Sequence, residues 1–465
     1  YAVEKGETIL KCYDGIDFKN KTFRVTKKVF STPILLFTIT GNYVCVSLQN
    51  GEIYLLDKHS IEVLQKLDIT ATMNGAYEDT NGDLWICTTD KGLIRAGFNP
   101  IQNITLPDSF HNTSFISIAI DSSGNILAGN RFGEIAKIKG KKFEINKIPT
   151  ANRSAWIRKV IIKNNNVYTL SENGFYCNYS DTSYSPYIPG KIKVAGFKSG
   201  AVFNDSVLLI GCTNRLMLFN IYTHSCKILN REKRNTAVIA TPNHHIYAGS
   251  TNGLFKWIKT DSMFAFNTQS ELLGSRIISL AATKDNMVWA ATASNGVIVL
   301  YDDSVIANIT TQNNLAGNLC RSVYAQDTTV WLSTNNGISK INYHFMPGSP
   351  FSFSIENFGE AEGLHKEPVN EMVAYHDTIY AATTNGIIFF PANISAKKEE
   401  VNTYITGISI NGKDTALLQN INLAYNQNYI NLKFATVDLT GSTYTWQYRL
   451  NNKPWINIST NTISL

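Results

Sequence analysis

Six residues have the chemistry to hold a ligand and recur at comparable places in separate stretches of the chain: Asn74, Trp156, Arg158, Arg276, Arg321 and Asn370. Each lies just before or inside a short apolar, β-prone run. A forked guanidinium pairs with acidic groups, and an indole stacks on apolar faces, so three arginines and a tryptophan suit an anionic or sugar-like ligand. The same side chains could equally serve as hydrogen-bonding struts between neighbouring segments. Which role they play depends on whether Arg158, Arg276 and Arg321 converge.

Other chemistry is poorly supplied. Asp79-x-Asn81-x-Asp83 opens like a calcium loop but has Leu84 at the sixth position and Asp90 instead of a bidentate Glu, so it reads as a turn. The same turn resembles the Asp-box of sialidase propellers with one residue too many. His224, Cys226, His244, His245 and His365 show no paired metal-ligand spacing, and no metal or cofactor is implied. No nucleophile elbow, phosphate-cradling loop or pair of catalytic carboxylates is present, which argues against an enzyme in this stretch. Glu360, Glu362 and Glu367 read as an exposed loop. The seven cysteines lack CxxC spacing; Cys45, Cys87 and Cys212 fall in apolar runs and read as core, with a Cys212–Cys226 disulfide as the alternative.

What positions the six residues is a repeat. Residues 79–95, DTNGDLWICTTDKGLIR, contain a tight turn at Asp79–Gly82, a strand at Leu84–Thr88, a second turn ending at Gly92, and the start of another strand. Aligned on that second turn, the unit recurs at Gly51, Gly92, Gly133, Gly174, Arg215, Gly253, Gly296, Gly337 and Gly386, at intervals of 38 to 49 residues and most often 41. A four-stranded unit of this period is the mark of a β-propeller. The strand before each turn is apolar on both sides because blades bury both sheet faces against their neighbours. Trp85, Tyr168, Tyr247, Trp289, Trp331 and Tyr380 are expected on it. In such a ring, loops entering the innermost strands converge on the central channel, and the six residues sit in those loops.

The repeat also resembles a known family. Asp79-x-x-Gly82-x-Leu84-Trp85-Ile86-x-Thr88-x-x-x-Gly92-Leu93 is similar to the two-component-regulator propeller repeat of Bacteroidetes-type membrane sensors, over residues 34–391. Gly129, Gly211 and Gly249 keep that family's strand glycine, Cys87, Ala291 and Ser333 replace it, and Asn214-Arg215 lacks the turn glycine. Rings in this family commonly close at seven blades, which counted back from the last unit would begin near Phe115. Residues 1–396 are then propeller repeats, 1–110 being the possible end of an upstream propeller and 111–396 the final one. A single nine-bladed ring competes.

After Lys397-Lys-Glu-Glu400 the period stops. Tyr404–Gly412, Leu423–Ala435 and Tyr444–Leu450 alternate and are aromatic, with Tyr425, Tyr429, Phe434, Trp446 and Tyr448 expected to face a core. Residues 402–465 resemble the first part of the triple-tyrosine, immunoglobulin-like β-sandwich that follows these propellers, and the chain reads as a fragment of something longer. The fold class is therefore all-β: a β-propeller of four-stranded blades, then a partial sandwich.

The resemblance implies the extracytoplasmic ligand-sensing region of a two-component sensor, on the periplasmic or extracellular side of the inner membrane. It implies an oligosaccharide or other small ligand, a homodimer formed through the C-terminal domain of the full-length chain, and a span and histidine-kinase module downstream. A surface or secreted scaffold is the alternative, and a propeller hydrolase or lyase the third reading. A net charge of +6 over 465 residues, with basic residues in short groups such as Lys139–Lys142 and Arg231–Arg234, does not amount to a nucleic-acid footprint. No apolar run approaches the roughly 20 residues that cross a bilayer.

Overall fold

The turn glycines set the blades. At Gly296 the backbone has φ +69°, and a Cβ there would lie 2.1 Å from the Ile309 carbonyl oxygen. Only glycine fits both the left-handed backbone and that close approach. The turn reverses the chain between Val288–Thr292 and Val297–Tyr301, so successive strands pair antiparallel.

The computed structural model describes residues 2–3, 7–17, 22–79, 83–96, 100–107, 110, 112–140, 142–148, 156–178, 184–187, 196–231, 234–364, 367–396, 402–416, 421–437, 446–451, 453–458 and 460–465. Their regular structure is almost all strand; the helical residues among them form four 3-10 turns of three or four residues. The chain divides into two compact units, Asn99–Ala396 and Tyr1–Phe98 with Lys397–Leu465.

Asn99–Ala396 holds seven four-stranded sheets. Their innermost strands are Phe115–Ile120 (blade 1), Ile157–Lys163 (2), Phe197–Val202 (3), Asn235–Ala240 (4), Ile277–Ala282 (5), Cys320–Gln326 (6) and Val369–Tyr375 (7). Blade 7 borrows its outer strand: Gln102–Asn103 pairs antiparallel with Gly386–Pro391. Blades 7 and 1 also join directly, through Asn370 Nδ2 to the Phe115 carbonyl at 2.6 Å and Glu371 Oε2 accepting from the Ile118 amide at 2.9 Å. The ring is closed at seven blades rather than nine, because the first-coming strand completes the last sheet.

The core lies between blades. Trp289, Trp331 and Tyr168 are fully buried on second strands, as alternation on a two-faced sheet requires. Trp331 packs at 5.9 Å from Phe358 and 5.2 Å from Phe390, linking blade 6 to blade 7. Burial pushes the thiols of Cys45 and Cys320 up to about 12, so both remain protonated and act as small apolar groups. Cys212 and Cys226 are free thiols. Glu362, expected in an exposed loop, is buried and accepts from the Gly359 amide at 2.8 Å, closing a 3-10 turn.

The other unit carries two of the nine repeats. One is a four-stranded sheet, Ile34–Ile39, Tyr43–Leu48, Glu52–Asp57 and Val63–Thr70; the second has three strands, Met73–Glu78, Leu84–Thr88 and Leu93–Ala96. In the latter Leu84 and Ile86 face inward, so Cys87 points outward and is exposed, contrary to its expected core position. A hairpin, Ile9–Asp17 with Thr22–Val29, precedes them. Residues 402–465 supply a sheet in the order Lys413–Thr415, Asn402–Ile410, Ile430–Val437, Thr462–Ser464, and a hairpin of Trp446–Tyr448 with Ile456–Ile458. Phe434 is buried and meets Trp446 edge-on at 5.7 Å. Tyr425 and Tyr429 do not join them; they lie before the strand and are 99% and 52% exposed.

Candidate ligand-binding site

Every innermost strand of the ring begins with the same irregularity. Pairing with the second strand slips between Phe115 and Ser117, Ile157 and Lys159, Phe197 and Ser199, Asn235 and Ala237, Ile277 and Ser279, Cys320 and Ser322, and Val369 and Glu371. One residue per blade is thereby extruded: Ile116, Arg158, Lys198, Thr236, Ile278, Arg321 and Asn370. A β-bulge re-aims the side chain it inserts. All seven line one central cavity of about 910 Å³.

In blades 1, 3, 5 and 7 the residue after the bulge stitches the ring. Ser117 accepts from the Val160 amide at 2.9 Å, Ser199 from Val238 at 3.1 Å, and Ser279 from Val323 at 3.2 Å. Each is a bond from one blade to the next. In blade 7 the position is Glu371, which takes the Ile118 amide and pairs with Lys159 of blade 2. The inner-edge amides of Ile118, Val160, Val238 and Val323 thus find acceptors beside the channel.

Charge is concentrated at the end of the cavity where the strands begin. Arg158, Lys159, Lys198, Arg234, Arg276 and Arg321 line it, against one acid among the described residues, Glu371. The far end is apolar, ringed by Ile120, Ile162, Val202, Ile239 and Val373. The cations are not equivalent. Glu172, in the turn of blade 2, holds both Arg158 and Lys198, the latter at 2.9 Å. Burial works to raise its carboxyl, but the hydrogen bonds and charges of Arg158 and Lys198 win, and it lies below the usual carboxylate value. Arg276 and Arg321 have no ion-pair partner among the described residues, and the Arg321 Nε is buried without a hydrogen bond.

The Glu172 cluster gives a pH test. A carboxylate whose folded pKa is depressed adds stability above its unfolded value, near 4.3, and loses it as pH falls through the lower folded value. Unfolding midpoints measured from pH 6 downward should therefore fall less in Glu172→Gln than in the parent. Parallel curves would show that the cluster adds nothing.

Of the six residues picked from sequence, Arg158, Arg276, Arg321 and Asn370 share the cavity wall. Asn370 spends its amide on the Phe115 carbonyl and is a closing strut. Trp156 stands beside Arg158, with the Arg158 and Arg131 guanidinium groups 4.4 and 4.9 Å from its ring centre, so its faces are engaged rather than open for a sugar. Asn74 is outside the ring: it belongs to Met73–Glu78 of the other unit, where its Oδ1 accepts from the Thr89 hydroxyl at 3.0 Å. It occupies the bulge position of its own sheet, between Met73 and Gly75, which is why its sequence setting matched the others. Lys159, Lys198, Arg234 and Glu371 were missed. Counting one residue past each strand's first buried position would have found Lys198.

No protein-family model matches the chain, and no curated protein matches its sequence. Solved structures do match in shape. The extracellular domain of a protein described as a hybrid two-component system from B. thetaiotaomicron aligns over 97% of this chain with a TM-score of 0.68 at 15% identity. Virginiamycin B lyase from Staphylococcus aureus aligns over 62% of this chain and 98% of its own, with a TM-score of 0.51 at 11% identity. The chain shares their propeller fold. It spans 65% of the length of the two-component protein's domain, and the match runs through both compact units, whereas the lyase matches a stretch about the size of one ring.

Proposed function

We propose that this chain is the extracytoplasmic ligand-sensing region of a membrane-bound two-component sensor, a histidine kinase or hybrid. It takes an oligosaccharide at the channel mouth and signals to a cytoplasmic kinase. The observation that carries this reading is the convergence of bulge residues from all seven blades on one cavity of about 910 Å³, large enough for a small oligosaccharide. A likeness in fold to a sensor's extracellular domain along nearly the whole chain supports the same reading.

The lyase neighbours favour a second reading, a propeller enzyme. A catalytically inactive form of the S. aureus lyase has one histidine replaced by alanine. Among the described residues the cavity wall holds no histidine. The carboxylate that is described there, Glu371, is engaged by Lys159 and the Ile118 amide, so the wall is better suited to binding and orienting than to shuttling protons near neutral pH.

The test is a thermal-shift screen of the purified chain against neutral and acidic oligosaccharides. A bound ligand raises the midpoint through mass action. Ala293→Trp, at the cavity rim, should cancel the shift without lowering the unliganded midpoint by more than a few degrees. A ligand whose shift survives Ala293→Trp binds elsewhere, and cleavage of any oligosaccharide in the same samples would favour the enzyme.

A further inference from the structure

We propose that the ligand of the channel carries an acid group, a carboxylate or a sulfate ester, and that this group seats on the arc of blades 4 to 6 formed by Arg234, Arg276 and Arg321. The proposal deepens the sensing reading of the same cavity and rests on it.

The argument is one of uneven compensation. On blades 2 and 3 the charges of Arg158 and Lys198 meet Glu172, and Lys159 meets Glu371 of blade 7. Among the described residues nothing comparable faces blades 4 to 6. Among the described residues Arg234, Arg276 and Arg321 form no ion pair, and Glu371, the acid of the cavity wall, is already engaged. Three like charges on adjacent blades repel one another, and an anion seated between them removes that repulsion.

Arg321 adds a second, independent reason. Its Nε is buried and has no acceptor, although a guanidinium offers five N–H donors in a fixed fork. A buried donor of a charged group left without an acceptor is costly, and an oxyanion is the acceptor a fork fits best. The backbone holds both arginines in place beforehand. Arg321 is the bulge residue of blade 6, and the Arg276 carbonyl accepts from the Ala293 amide at 3.0 Å. The site is preorganised on strand ends rather than on a free loop, which lowers the ordering cost of binding.

This assignment moves the anion site away from Arg158, which Glu172 and Trp156 already occupy. The rest of the ligand would lie along the aliphatic wall toward Ile239 and Leu280.

The experiment is titration calorimetry of the whole chain with two probes, myo-inositol hexasulfate and trigalacturonate, at low and raised salt. Binding of at least one is expected, weakening as salt rises. Arg276→Ala combined with Arg321→Ala should weaken it at least about tenfold, a change of about 1.4 kcal/mol. Arg276→Ala alone, at an exposed side chain, guards against misfolding of the double variant and should weaken binding several-fold. Lys284→Ala, a solvated cation paired with Asp327, should leave it unchanged. Whether the sulfated or the carboxylated probe binds distinguishes the two acid groups.

Failure of both probes to bind at about 1 mM, or binding indifferent to the arginine substitutions, overturns the proposal. A neutral oligosaccharide that binds and is blocked by Ala293→Trp would in that case leave sensing intact. Conversely, arginine-dependent probe binding with no oligosaccharide bound at all would sink the oligosaccharide reading and leave the anion site standing.

Discussion

Trp331→Ala should lower the unfolding free energy of the ring by about 3–5 kcal/mol, the range for deleting a fully buried large aromatic side chain. Trp331 is 1% exposed and lies in a cluster with Ile338, Phe358, Ile379 and Phe390 that spans blades 6 and 7. Ile101, just ahead of the borrowed strand, is in the same cluster. The cavity left behind therefore weakens an inter-blade seam and the closure together, and neither side can collapse into it without shifting a sheet. Chemical denaturation followed by tryptophan fluorescence measures the loss. A change well under 1 kcal/mol would mean that the seam repacks and that blades 6 and 7 are held by their backbone pairing alone.

Gly296→Ala should cost about 2–4 kcal/mol, combining a left-handed backbone with overpacking against a carbonyl. The added methyl would meet the Ile309 oxygen at 2.1 Å and the Thr310 Cα at 3.2 Å, both backbone atoms that cannot rotate aside. Gly92→Ala is the matched control. It has φ +72° but nothing within 4 Å of the new methyl, so only the backbone term, about 1 kcal/mol, applies. The difference between the two, read from denaturation midpoints, isolates the close approach. Equal losses would show that the blade-5 turn relaxes and that backbone conformation alone explains the recurring glycine.

The repeat was legible because two local rules coincide in most copies. An Asn-Gly or Lys-Gly turn follows an apolar strand, and a Trp or Tyr on that strand must be buried between blades, as Trp289 and Trp331 are. What did not show was ring membership. Asn74 and Asn370 occupy the same bulge position in similar strands, yet one belongs to a three-stranded sheet outside the ring and the other closes it. Nothing local separates them, since closure depends on a partner more than 250 residues away. The closing strand itself, Gln102–Asn103, is two polar residues long and carries no pattern that could announce it.

The site was half legible for a related reason. Arg158, Arg276 and Arg321 could be picked by type and by nearness to a strand start, and they do converge. Their partners could not. Glu172 is 14 residues from Arg158 and 26 from Lys198, and only the blade turn brings it to both. Glu371 reaches Lys159 across blade 1. Sequence supplies the cations, but the distinction between a neutralised arc and an open one is a property of the folded ring.

The two-residue strand that completes blade 7 has a mechanical consequence. The borrowed strand begins at Gln102 and the chain leaves the last strand of the ring at Pro391, and both belong to one sheet. Tension on the segment ahead of Gln102 would load a short set of backbone bonds: Ile101 to Glu362, the pairs Gln102 with Phe389 and Asn103 with Ile388, and Ile104 to Ile387. The borrowed strand is therefore a short latch, backed by the Asn370 and Glu371 bonds that join blades 7 and 1 directly.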